Sequence, residues 1–109
     1  MTWKIKYYND DLQEEILNFP RTLLAKYLKL AEIMQEYGAD IGMPHTKAFG
    51  KGLFELRLKG KEGIARVFYC TLIGKNIYML HSFIKKTDKT PKKELDLAKK
   101  RMQEVKKYD

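Results

Sequence analysis

The chain has 109 residues, 44% of them apolar, which suits one domain with one core and is too little for two. Its net charge is +8 and unevenly placed: residues 1–50 hold 6 Lys/Arg against 7 Asp/Glu, residues 51–109 hold 16 against 7. This composition excludes a disordered chain, a lone cysteine (Cys70) excludes a disulfide framework or an all-Cys metal site, and no run approaches the roughly 18 apolar residues of a membrane span. The opening residues enter a strand-like pattern with no apolar signal core, so the expectation is a single cytoplasmic domain over residues 1–109. A basic second half favours nucleic acid, an anionic membrane surface or an acidic protein as partner, against a merely solvated lysine-rich face.

Trp3, Ile5 and Tyr7 alternate with Lys4, Lys6 and Tyr8, the period of a half-buried strand. Asp10 with Gln13 resembles a capping box, after which Leu12, Ile16 and Phe19 share one side of a short helix. Pro20 ends that helix and opens a second, in which Leu23, Leu24, Tyr27, Leu30, Ala31 and Met34 keep helical spacing up to a stop at Gly38. The pair predicts a helical hairpin lying on a sheet. Residues 38–52, punctuated by Gly38, Gly42, Pro44, Gly50 and Gly52, read as irregular.

Three strands are predicted next, over 53–59, 64–72 and 76–84, joined by short glycine-containing turns. A final helix is predicted to start at Thr90 and Pro91, with Thr90 as its cap and Glu94 one residue late for a capping box. Leu95, Ala98, Met102 and Val105 form its apolar stripe, and Lys92, Lys93, Lys99, Lys100, Arg101, Lys106 and Lys107 cover the rest. The order β-α-α-β-β-β-α gives an α+β domain.

Alternation sorts the chemistry. Glu55, Arg57 and Lys59 share the polar face of the first of these strands, so Arg57 either pairs with Glu55 or meets an external anion. The next strand is apolar on both faces, with Arg66 beside Ile64, Phe68, Cys70 and Leu72 while Val67 and Tyr69 point the other way. An arginine there must find a partner, and a phosphate is one. Lys85 and Lys86 follow the last strand. His81 lies in an apolar strand and reads more readily as a hydrogen-bonded core residue than as a catalyst; His45 is more exposed, beside Thr46 and Lys47. No metal-ligand spacing, phosphate-cradling glycine loop, nucleophile elbow or dinucleotide fingerprint is present, so no cofactor is expected.

Cleavage of RNA remains open to such residues, because the substrate's 2′-hydroxyl can attack the adjacent phosphate and the protein supplies no nucleophile. Arginines would grip and neutralise the phosphate. A lysine among other cations has a lowered pKa that suits proton transfer, and Tyr69 or Phe83 could stack a base.

The chain resembles the RelE/ParE toxin superfamily of bacterial toxin–antitoxin systems, most of all its phage-derived, HigB-like branch. The resemblance rests on Gly52-Leu-Phe-Glu-Leu-Arg57, Arg66-Val-Phe-Tyr69, His81-Ser-Phe-Ile-Lys-Lys-Thr-Asp-Lys-Thr-Pro91 and Ala98-Lys-Lys-Arg-Met102, and covers nearly the whole chain. It implies a RelE-like antiparallel sheet with an N-terminal helical hairpin and a C-terminal helix. It also implies a metal-independent messenger-RNA endonuclease that works on the ribosome and is neutralised by a cognate helix-turn-helix antitoxin, touching DNA only through that antitoxin and having no membrane partner.

By position, Arg66 matches the arginine that contacts the scissile phosphate in RelE-type toxins, and Arg57 and Lys86 or Lys85 match their other basic residues. Arg57, Arg66, Lys85 and Lys86 thus form the expected catalytic set, with Lys47, Lys59, Tyr69, His81, Phe83 and Lys89 contacting RNA. The chain departs from the family at its C-terminus, where Thr90, Pro91 and Lys92 stand near the place of a catalytic tyrosine and the only late tyrosine is Tyr108. Glu55 occupies a place that is basic in some relatives. ParE relatives share the fold yet poison gyrase, so a non-enzymatic gyrase inhibitor and a plain RNA-binding module stay open as alternatives.

Overall fold

Helix punctuation in the first third of the chain sets two helices on one face of a sheet. The computed structural model describes residues 3–72, 74–85 and 89–107. Strand β1 (Lys4–Tyr7) leads into α1 (Asp10–Leu17) and α2 (Arg21–Tyr37). Asn9, one residue ahead of the expected cap, closes the start of α1: its side-chain oxygen accepts from Leu12 N at 2.8 Å. Asp10 and Asp11 fall in the first turn, where the helix dipole favours acids. Pro20 leaves α2 without a capping side chain of its own. The carboxylate of Glu62 fills that role from the distant β-turn, accepting from Thr22 N at 3.0 Å and from the Thr22 hydroxyl. At the other end Gly38 sits at φ +103°, and a Cβ there would come within 3.3 Å of the Trp3 ring.

The remaining elements are β2 (Thr46–Gly50), β3 (Leu53–Gly60), β4 (Gly63–Leu72), β5 (Asn76–Lys85) and α3 (Lys92–Lys107). They complete one sheet in the order β1-β5-β4-β3-β2, in which only the β1–β5 pairing is parallel. Strand β2 corrects the reading of 38–52 as irregular. Its Thr46, Lys47 and Ala48 pair with Leu56, Glu55 and Phe54, and the ladder shifts register before Gly50. Glycine there marks a bulge and a turn rather than the absence of a strand. The expected order gains one strand; the α+β class, the helical hairpin and the C-terminal helix stand as expected.

Each face of the sheet has its own core. Leu12, Ile16, Leu23, Tyr27, Leu30 and Met34 of the hairpin pack on Leu56, Leu58, Ala65, Val67, Tyr69, Ile77 and Met79. On the other face, Ala98 and Met102 of α3 pack on Leu53, Phe68, Cys70 and Leu80. A β-bulge in the β4–β5 ladder decides what else this second face carries. Phe68 pairs with His81 and Tyr69 with Met79, so Leu80 is an extra residue. The insertion reverses the alternation beyond it. His81 and Phe83 therefore lie on the α3 face, opposite Phe68 and Arg66, instead of joining Met79 against the hairpin.

Helix α3 is pinned at both ends. Glu94 Oε1 lies 2.6 Å from His81 Nε2 in the first turn. Further along, Arg101 donates to Leu80 O at 2.8 Å and lies 4.5 Å from the Tyr8 ring centroid, while the Tyr8 hydroxyl donates to Glu104 at 2.8 Å. Arg101, expected on the solvated face, is thus a packing residue. The Pro91 carbonyl accepts from Glu94 N and Leu95 N at 3.1 and 3.2 Å, and the Thr90 hydroxyl, expected as a cap, donates to Glu55 instead. Among the described residues no helix is long and apolar enough to cross a membrane.

Candidate functional site

Toward the Arg57–Lys59 end of β3, beyond the apolar contacts of α3, the second face of the sheet carries its charge. Arg57 on β3 and Arg66 on β4 stand directly opposite each other in the antiparallel register, an arrangement that repels unless an anion intervenes. Glu55, on the same face and 1% exposed, is that anion. Its Oε1 lies 3.6 Å from Arg66 Nε and 4.0 Å from Arg57 Nε, and its Oε2 accepts from the Thr90 hydroxyl at 2.7 Å. Two guanidinium groups therefore share one carboxylate, and one positive charge is left over.

Arg66 is 5% exposed. Burial lowers its pKa, Glu55 pushes it back up, and Arg57 lowers it again; it stays charged all the same. Its NH1 donates to Ala65 O at 3.2 Å, and its buried Nε makes no hydrogen bond among the described residues. Arg57 is the more open of the two, with NH1 3.8 Å from Met43 Sδ.

Cavities lie on both sides of Arg57. One, of about 300 Å³, is lined by Lys47, Phe49, Glu55, Arg57, Lys85 and Lys89, and by Thr90 at the approach to α3. The other, of about 520 Å³, includes Lys26, His45, Lys59 and Arg66 with Arg57. Lys47 Nζ lies 5.2 Å from the Phe49 ring centroid, so a cation and an aromatic face adjoin in the first cavity. Phe83, half-buried and paired with Arg66, continues a row of rings: it stacks on Phe68 at 6.0 Å and on His81 at 5.8 Å.

The structure thus brings together Arg57, Arg66, Lys85, Lys47, Lys59, Lys89 and Phe83 from the expected set. Lys86 lies outside the described residues. Tyr69 is corrected: it is fully buried against the helical hairpin on the opposite face, with its hydroxyl donating to Ala39 O at 2.5 Å. Burial raises its pKa, and no part of the ring is left for a base to stack on. His81 is committed to Glu94 and to holding α3. Glu55 is more than the partner of Arg57 that their shared strand face suggested, since it is the buried anchor of both arginines. Lys26 and His45 were not expected in the site. The strand at 46–50 brings His45 next to Arg57, and nothing in the pattern of α2 distinguishes Lys26 from its other lysine, Lys29.

Among the described residues no three His, Cys, Asp or Glu side chains converge as a metal site. What the arrangement offers is a desolvated, preorganised fork for an oxyanion, fixed by a buried carboxylate and rimmed by lysines.

Two solved structures share the fold. RelE in an archaeal RelE–RelB complex from Pyrococcus horikoshii OT3 aligns with a TM-score of 0.53 and 18% identity, over 77% of this chain and 96% of that one. The E. coli toxin RelE, solved in the free state as a double arginine-to-alanine mutant, aligns with a TM-score of 0.57 and 13% identity, over 93% and 98%. A comparison with curated protein sequences gave no match. In sequence, residues 14–103 match the family described as phage-derived protein Gp49-like (DUF891). With that match over most of its length, the chain belongs to the phage-derived Gp49-like family and carries the RelE fold.

Proposed function

We propose that this protein is the toxin of a toxin–antitoxin pair and acts as a metal-independent endonuclease on messenger RNA bound to the ribosome in the cytoplasm. One observation carries the reading: Arg57 and Arg66 oppose each other across a strand pair and share a single buried carboxylate. Such a pair is one negative charge short, and a phosphodiester supplies it. In the reaction the substrate's 2′-oxygen bonds to phosphorus, the bond to the 5′-oxygen breaks, and a 2′,3′-cyclic phosphate and a 5′-hydroxyl result. Arg66, with Arg57, neutralises the charge that grows on the non-bridging oxygens. Lys85, which lines a cavity with Arg57, Lys47 and Lys89, moves a proton, and Lys86 follows it in the sequence. Phe83 offers a ring to an unstacked base.

The RelE fold and the Gp49-like family support the toxin role, and the RelE–RelB complex supports an antitoxin partner, here of the helix-turn-helix type. The cationic run after β5 supports the HigB-like branch. Induced expression followed by mapping of RNA 5′ ends tests the proposal. Cuts inside translated messages, lost when Arg57 or Arg66 is replaced, are expected. Intact RNA alongside gyrase-bound, linearised DNA would sink it.

A further inference from the structure

Arg57 borders two cavities, and the larger one, which Arg66 also lines, takes in cations beyond the arginine pair. Its lining takes Lys26 from α2, His45 from the segment before β2, Lys59 and Arg57 from β3, and Arg66 from β4. Among the described residues this lining holds four formally cationic side chains, the imidazole of His45 and no carboxylate. Cations converging from three separate elements repel one another unless an anion joins them. Four cations with no carboxylate among them make the cavity a good place for a phosphate.

The parts are also held in place. His45 donates its N–H to Gly42 O at 3.0 Å, and its carbonyl accepts from Arg57 N at 2.8 Å. The side chain therefore starts from a backbone tied to β3. The turn that carries it is closed by Gly42 N bonding Thr46 Oγ1 at 2.9 Å. Helix α2, which brings Lys26, is docked at its first turn by the bonds from Thr22 to Glu62 and from Lys61 N to Thr22 Oγ1 at 3.0 Å.

We propose that the part of this cavity formed by Lys26, His45 and Lys59 is a second phosphate subsite, which takes a neighbouring phosphodiester of the same RNA strand while Arg57 and Arg66 hold the one to be cut. The inference rests on the ribonuclease reading and extends it to a strand path across Arg57, with Lys26 and His45 as binding residues. It also fixes a minimum substrate: RNA must span two phosphates to use both subsites.

Binding of single-stranded RNA with 2′-O-methyl groups tests this without chemistry, since the nucleophile is blocked. The wild-type protein should bind a tetranucleotide several-fold more tightly than a dinucleotide. Lys26→Ala and His45→Gln should bind the dinucleotide as the wild type does yet lose most of the gain from lengthening. For Lys26→Ala the salt slope on the tetranucleotide should also fall by roughly 0.7, one single-strand phosphate contact. Alanine is a good helix former at that position, and an unchanged thermal midpoint confirms the fold.

A wild-type gain from lengthening that both variants keep would overturn the subsite while Arg57→Ala still shows whether the main cleft binds RNA. Equal, Lys26-dependent affinity for a single nucleotide 5′-phosphate and for the tetranucleotide would assign the cavity to a free nucleotide and overturn the strand path. A wild-type protein that binds neither oligonucleotide overturns the subsite and the ribonuclease reading together.

Discussion

Arg66 and Glu55 form a buried ion pair at 3.6 Å across the β3–β4 ladder, and the same acid serves Arg57 two residues along its own strand. The pair couples stability to chemistry in the same three side chains. Removing one member of a buried pair leaves an uncompensated charge, and that penalty is larger than the net worth of the pair.

Arg66→Ala should therefore abolish RNA cleavage and also lower stability by about 1–3 kcal/mol, less than for a fully orphaned charge because Arg57 and Thr90 still contact Glu55. The double variant with Glu55→Gln should recover part of the stability and none of the activity. A double-mutant cycle by chemical denaturation, run beside a cleavage assay, separates the two effects. Additive stability losses would mean that the ion pair contributes nothing to the fold.

Two aromatic residues on strands, Tyr69 and Phe83, could not be told apart by residue type, and the bulge at Leu80 puts Phe83 on the face opposite Tyr69. Tyr69→Phe should cost about 1 kcal/mol by deleting the bond to Ala39 O and leave RNA affinity unchanged. Phe83→Ala should instead weaken RNA binding by about 1–3 kcal/mol, the worth of one base stack. Thermal unfolding and a binding titration on both variants check this. A Tyr69→Phe protein with weakened RNA binding would place the strand path on the wrong face.

How much was legible from sequence follows the range of the interactions. Period-two alternation grouped Arg57 with Glu55 and Lys59, and Arg66 with Phe68 and Cys70, because successive side chains of a pleated strand face opposite ways; that the two arginines share a face comes from the β3–β4 register. It could not reveal that Leu80 is inserted, since a bulge is defined by the partner strand and not by the strand that carries it. The strand at 46–50 was hidden for a related reason: its glycines look like loop punctuation until β3 is there to pair with. Lys26 has no signal at all, because its place in the cavity depends on how α2 docks on the sheet. Helical spacing names the buried face of α2 and says nothing about its contacts beyond the edge.

That docking yields a pH prediction. The hydrogen bond from the Thr22 hydroxyl to Glu62 holds this carboxyl below its ordinary pKa, with Thr22 N adding to the effect. A pKa lower in the folded than in the unfolded state stabilises the protein above the unfolded value, and the contribution is lost as pH falls through the folded one. Glu62→Gln should then melt below the wild type near neutral pH, and the difference should close as the solution is acidified through and below the ordinary carboxylate range. Paired thermal melts from about pH 7 to about pH 3 read this directly. A difference that stays constant with pH would mean that the charge of Glu62 plays no part.

Gly60 tests the same junction by shape. A Cβ on Gly60 would land on the Thr22 side chain and within 3.1 Å of Leu23. Gly60→Ala should lose about 1–3 kcal/mol through overpacking, although φ at this position is ordinary. Chemical denaturation measures it, and a neutral result would mean that α2 can shift away from the sheet, in which case Lys26 is not rigidly placed.

The antitoxin proposed as partner must cover a cleft whose rim includes Lys47, Lys85 and Lys89. Rim charges act on the encounter more than on the finished complex, so an acidic partner segment should be steered there at low salt. Charge reversal at Lys85 and Lys89 together should slow association severalfold and change dissociation little, with the effect shrinking as salt is raised. Stopped-flow association at two ionic strengths provides the measurement. If the rate is insensitive to both reversals at low salt, the antitoxin docks elsewhere, and the groove between β1 and α2 around Tyr7, Leu28 and Ala31 is the next surface to probe. Inhibition would then have to reach Arg57 and Arg66 through the sheet, and RNA should still bind the complex.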